Sequence, residues 1–479
     1  MIKPLKYALI SLGVVAALSV ALIFALKAPS SDKTDDNSGT EGQINQKMIF
    51  SQNAKDVDFI TFSSEYGDYK LIVNPDEGSY IEGMDVPASE SEIDSLLTYA
   101  TKISSLKRVD EKPSDLSIYG LDNPAAVIEV HMKNGEKYKF SIGNETPFKD
   151  GYYMLEGSTG IVHVIGYSAE RLMKVQISDY VETILSESIS EDDYYKINLM
   201  RITKPTQKEK VIELTLIDED QRSDDDLYYQ DYKITKPENA LSVNGDYVSL
   251  YMHPSLAQIV ADSVYKVHPT KQDLKDTGLD NPYYGLYFEV EKKGYDFIFS
   301  EPDKNGDMYA MRKDIDVIYK INKKYLKILD TTLGDVQSKL IFIDYIDKMD
   351  TVEITDSTGT YVFKIEGYAD EEKNEPLKVT LNGEEVNVGY FKKLYMNAMN
   401  LSIDGFMDDG EQPGNTNLTI IYTYREGGKS VRIDYKYLDN RRTAITYNNE
   451  TKYYTLNKKI EEFTTNLKRL LNGEEVIYN

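Results

Sequence analysis

Residues Asp115-Leu116-Ser117-Ile118-Tyr119-Gly120-Leu121-Asp122-Asn123-Pro124 return further along the chain as Asp273-Leu274-Lys275-Asp276-Thr277-Gly278-Leu279-Asp280-Asn281-Pro282. The Asp-Leu start and the Gly-Leu-Asp-Asn-Pro end are intact in both copies. An internal repeat of this kind marks a chain assembled from similar units, not one large catalytic domain. At 479 residues there is room for about three domains, by the usual prior of roughly 150 residues each.

Working outward from the first copy, Val57–Phe62 and Tyr69–Val73 alternate as paired strands around Glu65-Tyr66-Gly67-Asp68. A helix is expected next. Ser89 and Glu92 have capping-box spacing, and Ile93, Leu96, Leu97, Ala100, Ile103 and Leu106 make one apolar stripe. After the repeated element, Val127–His131 and Tyr138–Ile142 flank Asn134-Gly135, a strong hairpin signal. Two further strands bracket Glu156–Gly160.

The second copy has the same surroundings. Ile197–Ile202 and Val211–Ile217 are expected strands, and the acidic run Asp218–Asp226 is expected to enlarge their hairpin. Pro254–Tyr265 is expected to be helical, with Leu256, Ile259, Val260 and Val264 on one face. The meander is then Gly285–Glu291, Tyr295–Phe299, Met308–Met311 and Val317–Ile321.

A third, diverged unit keeps the order. Its helix is expected at Val388–Ala398 and a closing helix at Glu461–Leu471, with Asp408–Gly414 where the repeated element would stand. Short helices near 168–189 and 322–340 would join the units. Each unit reads strand–strand–helix–meander, which predicts an α+β class: three repeated modules of antiparallel sheet with helices on one face. The expected divisions are 48–190, 191–340 and 341–479.

Ahead of them, Tyr7–Leu26 carries no charge and spans roughly 30 Å as a helix, the hydrocarbon thickness of a bilayer. Lys3 and Lys6 precede it, while Asp32, Asp35, Asp36 and Glu41 follow, so the positive-inside rule places the bulk of the chain outside the cytoplasm. Residues 1–27 are therefore expected to be a cytoplasmic stub and transmembrane anchor in the cell membrane. A cleaved signal peptide is the competing reading, although its apolar core is normally shorter and Leu26 precedes Lys27-Ala28 where a small residue is preferred. Residues 28–47, rich in Ser, Asp, Asn and Gly, read as a flexible tether with a reach on the order of 25 Å.

Composition narrows the function classes. With 39 Tyr and 14 Phe the chain can bury a core. It has no Cys, which removes disulfides, thiolate metal sites, iron–sulfur clusters and cysteine nucleophiles. A net charge of −25 repels nucleic acid, and no phosphate-cradling Gly-rich loop precedes a helix, so neither nucleic acid nor nucleotide is an expected partner.

The Gly-Leu-Asp-Asn-Pro turn, the Asn-Gly hairpin, Ile142-Gly143-Asn144-Glu145-Thr146-Pro147 and Gly151-Tyr152-Tyr153 together resemble the DUF4340 family of exported domains. The first unit matches that pattern throughout. The second has Phe299-Ser300-Glu301-Pro302 in place of the Ile-Gly corner, and the third matches only in strand order. The resemblance is good over roughly residues 50–330. It implies an N-terminal anchor and an accessory role beside an ABC-2-type transporter, similar to those of bacterial gliding-motility systems. It supplies no active site.

The residues themselves assign no catalytic, cofactor-binding or metal-binding role. Asp122 and Asn123 read as turn residues that bond their own backbone. Asp303-Lys304-Asn305-Gly306-Asp307 lacks the register and the bidentate Glu of a Ca²⁺ loop, and Asp218–Asp226 reads as a solvated hairpin tip with weak Ca²⁺ binding as its alternative. His131, His163, His253 and His268 are not spaced as a metal pair, and no Gly-x-Ser-x-Gly elbow is present. The expected function is a membrane-anchored, extracytoplasmic, non-enzymatic scaffold contacting a transporter permease or accessory subunit. Binding of an envelope glycan or polymer through Tyr-rich strands is the alternative, and an enzyme comes third.

Overall fold

The computed structural model describes residues 47–206, 210–218, 231–238, 240–368 and 375–478. The expected membrane segment 7–26, and the expected tether up to Gln46, lie outside those residues. Lys47 is not tether: it opens strand β1 (Lys47–Ser51), where it faces Ser105. No helix of the described residues is long and apolar enough to cross a membrane.

Period-2 patterning builds the first sheet. Its strands are β2 (Val57–Ser64), β3 (Gly67–Ile72), β4 (Tyr80–Ile81), β6 (Lys107–Asp110), β7 (Ala126–Met132), β8 (Lys137–Glu145), β9 (Tyr152–Glu156) and β10 (Ile161–Ile165). In β7 the residues Ala126, Ile128, Val130 and Met132 are buried while those between are half exposed. The sheet order is β4-β3-β2-β7-β8-β9-β10-β6. The remaining strand of this region, β5 (Lys102–Ser105), pairs with β1 alone.

The second sheet comprises β11 (Ile197–Thr203), β12 (Val211–Leu216), β13 (Tyr232–Lys236), β14 (Ser263–Val267), β15 (Tyr284–Val290), β16 (Lys293–Phe299), β17 (Asp307–Arg312) and β18 (Val317–Asn322). Its order is β13-β12-β11-β15-β16-β17-β18-β14. The third comprises β19 (Met349–Asp356), β20 (Gly359–Glu366), β21 (Lys378–Leu381), β22 (Glu384–Glu385), β23 (Gly405–Phe406), β24 (Thr416–Tyr424), β25 (Ser430–Tyr437), β26 (Arg442–Tyr447) and β27 (Glu450–Leu456). Its order is β22-β21-β20-β19-β24-β25-β26-β27-β23. Position by position the three orders coincide, with β22 as an addition at one edge of the third. The pairings within these sheets are antiparallel.

This order places the third and fourth strands of the repeated pattern at or near opposite edges, so the chain must cross the sheet between them. A helix makes the crossing and covers apolar side chains on the way. In the first unit α1 (Glu90–Thr101) buries Ile93, Leu96, Leu97 and Ala100 in one cluster with Ile60, Ile128, Val130 and Phe140. Ile93, Leu96 and Leu97 each contribute about 1.5–3 kcal/mol of burial. The stripe does not continue as helix to Leu106. It ends at Thr101, and Ile103 is buried from β5 because β1 offers that segment a ladder partner. Nor does Ser89 form a capping box: its amide donates to the Tyr180 carbonyl (2.8 Å), its hydroxyl meets that of Ser91, and Glu92 pairs with Arg171.

In the second unit the helix lies earlier than Pro254–Tyr265. It is α2, formed from Gly245–Tyr247, a π-helical turn Val248–Met252 and His253–Leu256, with Asn244 capping it through the Tyr247 amide. Val248, Met252 and Leu256 face the core, whereas Val264 belongs to β14 and pairs with Tyr319. The acidic run does not enlarge the β11–β12 hairpin. It falls between β12 and β13, and beyond Asp218 it lies outside the described residues. In the third unit α3 (Val388–Met399) and α4 (Asn457–Leu471) pack together, α4 starting before Glu461.

Candidate functional site: the signature corner and the seams between units

The repeated element folds alike in both copies. Gly120 and Gly278 take left-handed backbones, φ 65° and 75°. The next amide reaches back to the same carbonyl, Leu121 to Leu116 (3.0 Å) and Leu279 to Leu274 (2.8 Å). Both leucines are buried. These backbone bonds hold the turn; among the described residues no hydrogen bond from the side chains of Asp122, Asn123, Asp280 or Asn281 contributes, contrary to the expected Asx turns.

The first copy packs on the Ile-Gly corner. A Cβ on Gly120 would lie 2.5 Å from the Asn144 side chain, and one on Gly143 would overlap the Tyr119 carbonyl oxygen. In the second unit the approach is looser, since a Cβ on Gly278 would sit 3.8 Å from that of Ser300. Ser300 stands where the first unit has Gly143. Its hydroxyl accepts from the Tyr309 amide at 2.9 Å.

Between the sheets, each linker is hydrogen-bonded to two units. The Tyr180 carbonyl accepts from Ser89 and the Glu182 amide donates to Pro87, bracketing the bridge Ala88↔Val181 just ahead of α1. The same linker then pairs with the segment after α2: Ala261 donates to Thr183, Ile184 bridges Val260 and Leu185 donates to Ile259. The second linker repeats this. Asn244 donates to Val336 and Ser338 to Ser242, bracketing Val243↔Gln337, and Ile403 beyond α3 donates to Lys339. Apolar packing follows the strands, so Val86 and Val181 share a cluster with Leu256, and Leu241 with Phe342 and Met349.

Two charged residues reinforce the seams. His268, with a left-handed φ of 51°, places Nε2 2.9 Å from Asp85 of the first unit and Nδ1 2.9 Å from Asp316. The Asp316 hydrogen bond leads in raising its pKa, with Asp85 adding to the effect. Lys204 is buried and donates to the Thr331 carbonyl of the second linker at 2.6 Å. Burial pushes its pKa down to about 8.

The remaining singled-out groups are engaged locally. His131 stacks on Phe59 at 4.1 Å. His253 meets the Tyr232 hydroxyl at 3.1 Å, and burial lowers its pKa to about 4. His163 lies at a cavity of about 380 Å³, with Nδ1 3.1 Å from the Ser105 hydroxyl and Nε2 3.5 Å from Glu156. Ser105 is itself buried, and Glu156 already accepts from Ser158 and Thr159. Burial lowers the His163 pKa, leaving a neutral ring. The Asp303 carboxylate accepts from the Asn305 and Asp307 amides, closing its own turn. Among the described residues no cluster of three or more His, Cys, Asp or Glu could hold a metal ion.

The chain is thus an α+β protein of antiparallel sheets whose corner glycines and linkers carry its distinctive contacts. It belongs to the family described as domain of unknown function DUF4340, which matches residues 79–282 and again 252–419. Each match starts within one unit, crosses a linker and ends in the next, so the seam lies inside the family's own unit. No curated protein and no solved structure matches the chain.

Proposed function

We propose that the protein is a membrane-anchored, extracytoplasmic accessory or scaffold protein that works by contact and not by chemistry, beside an ABC-2-type transporter. In this reading the chain is one module used three times, held to the membrane by residues 7–26. The observation that carries it is the double pairing of each linker, which suits a spacer holding its contact surfaces in fixed relation. The uncharged segment Tyr7–Leu26 supports the location, and the transporter context is what the sequence resemblance implies. The expected result is recovery of a permease with the full-length chain after crosslinking in membranes and mild detergent extraction. Recovery of the chain alone would overturn the reading.

Binding of an envelope polymer has one observation in its favour. Tyr153 and Tyr309 hold equivalent places in their sheets and each meets a second ring edge-on, Tyr119 at 5.0 Å and Tyr265 at 4.7 Å. Such pairs suit stacking on sugars. Saturable binding of purified envelope glycan, lost on Tyr265→Ala, would favour it.

A further inference from the structure

Among the described residues one linker place is unfilled, and the sequence holds one further linker-like stretch. Ahead of α1 and α2 the outgoing linker takes the carbonyls of Pro87 and Ser242 and the amides of Ser89 and Asn244. Ser89 and Asn244 are the N-caps of their helices, as Asn387 is of α3. The equivalent groups in the third unit are therefore the Glu385 carbonyl and the Asn387 amide. Val386 between them donates to Val379, so strand alternation turns both groups away from β21. Among the described residues no hydrogen bond reaches either of them. Among the described residues the chain does not return to this place: after β27 it runs into α4, and Ile477 is held against α3 and α4 by Asn397 and Asn466.

That stretch lies at the other end. Strand β1 fills, beside β5, the slot that linkers fill in the later units. Leu106 and Asp262 hold equivalent places, donating to Val164 and Lys320. The residues before them, Ser105 and Ala261, face Lys47 and Thr183, which makes Met48 the counterpart of Ile184; both are exposed, at 50% and 47%. Three residues before Thr183 and Lys339 stand Tyr180 and Val336, the buried linker residues that accept from the helix caps. Three residues before Lys47 stands Ile44, within Gln43-Ile44-Asn45-Gln46-Lys47. This stretch has an apolar residue where the linkers have theirs, contains no acid, and would approach an edge carrying Glu384 and Glu385.

We propose that copies of this chain associate head to tail, residues 44–46 of one copy pairing with Glu385–Asn387 of the next. The Ile44 carbonyl accepts from the Asn387 amide, and the Gln46 amide donates to the Glu385 carbonyl. Such a joint is heterologous and does not close on itself, so it extends into a row of copies. It stands independently of the transporter reading.

The absence of Cys gives a clean test. Asn45 and Val386 would be a non-hydrogen-bonded pair like Ala88 and Val181, with Cα atoms about 4.5 Å apart, close enough for a disulfide. Full-length chain carrying both Asn45→Cys and Val386→Cys is oxidised in detergent and run without reductant. A ladder of dimer, trimer and higher species is expected, with dimers at most from either single variant. Adding Ile44→Asp, which buries a charge at the joint, reduces the ladder by about tenfold or more. Uncrosslinked monomer, or a compact internally crosslinked monomer, overturns the proposal. Sedimentation of the cysteine-free chain is the second measurement: concentration-dependent association weakened by Ile44→Asp supports the joint, and a monomer at all concentrations refutes it.

Discussion

Gly143 and Tyr119 touch where the two signature segments of the first unit meet, and the contact runs through the Tyr119 carbonyl oxygen, which no rotamer change can move aside. A methyl group at position 143 must displace backbone. Gly143→Ala is therefore expected to cost more than about 2 kcal/mol in chemical unfolding. At the equivalent corner Ser300→Ala fits the space but strands the Tyr309 amide, for a loss of about 1–3 kcal/mol. Equal and negligible effects at the two sites would refute this account of why one corner needs glycine and the other does not.

The linker hydrogen bonds predict coupling between units. Glu182→Pro removes the amide that donates to Pro87, and Leu185→Pro the one that donates to Ile259. Each is expected to destabilise by about 1–3 kcal/mol and to split one unfolding transition into two, because the change weakens the seam more than either core. Hydrogen exchange should quicken at Ser89 or Ala261 respectively. A single undivided transition in both variants would refute the coupling.

His268 makes one seam sensitive to pH. Its pKa is raised in the fold, so the stabilisation it gives through Asp85 and Asp316 is fully present below about 6.5, the ordinary histidine value, and fades as pH rises through the folded value. Asp85→Asn should bring the titration of His268, read by NMR, back toward the ordinary value. An unchanged titration would mean that Asp85 does not participate.

His253 acts in the opposite sense. Its folded pKa is about 4, so the unfolded chain binds the proton first as pH falls from about 6.5. This residue's contribution is whole above that pH and declines by on the order of 3 kcal/mol toward pH 4. Unfolding curves across this window should be steeper for the native chain than for His253→Gln.

Much of the fold was legible because strands and tight turns carry their own chemistry. Asn134-Gly135 closes its hairpin with Gly135 at φ 88°, and Asn448-Asn449 takes two left-handed residues, φ 50° and 62°. The helix of the second unit was misread for a local reason. Pro254 resembles a helix start, yet it follows a π-helical turn inside α2, and Val264 continues a helical spacing only by coincidence. The stripe through Ile103 misled similarly, because a buried strand residue can fall in step with the helix before it. The seams were not legible at all. Pro87, Ser89, Glu182 and Thr183 meet through main-chain groups, which any residue type but proline at a donor position can supply.

Because a linker completes one unit while beginning the next, synthesis imposes a waiting period. The Pro87 carbonyl and Ser89 amide have no linker to bond until residues 180–182 have been made, and Ser242 and Asn244 wait for residues 336–338. A nascent chain that has just finished a sheet thus still presents raw backbone at its rim. A product interrupted before residues 180–182 or 336–338 therefore lacks the partners of Pro87 and Ser89, or of Ser242 and Asn244.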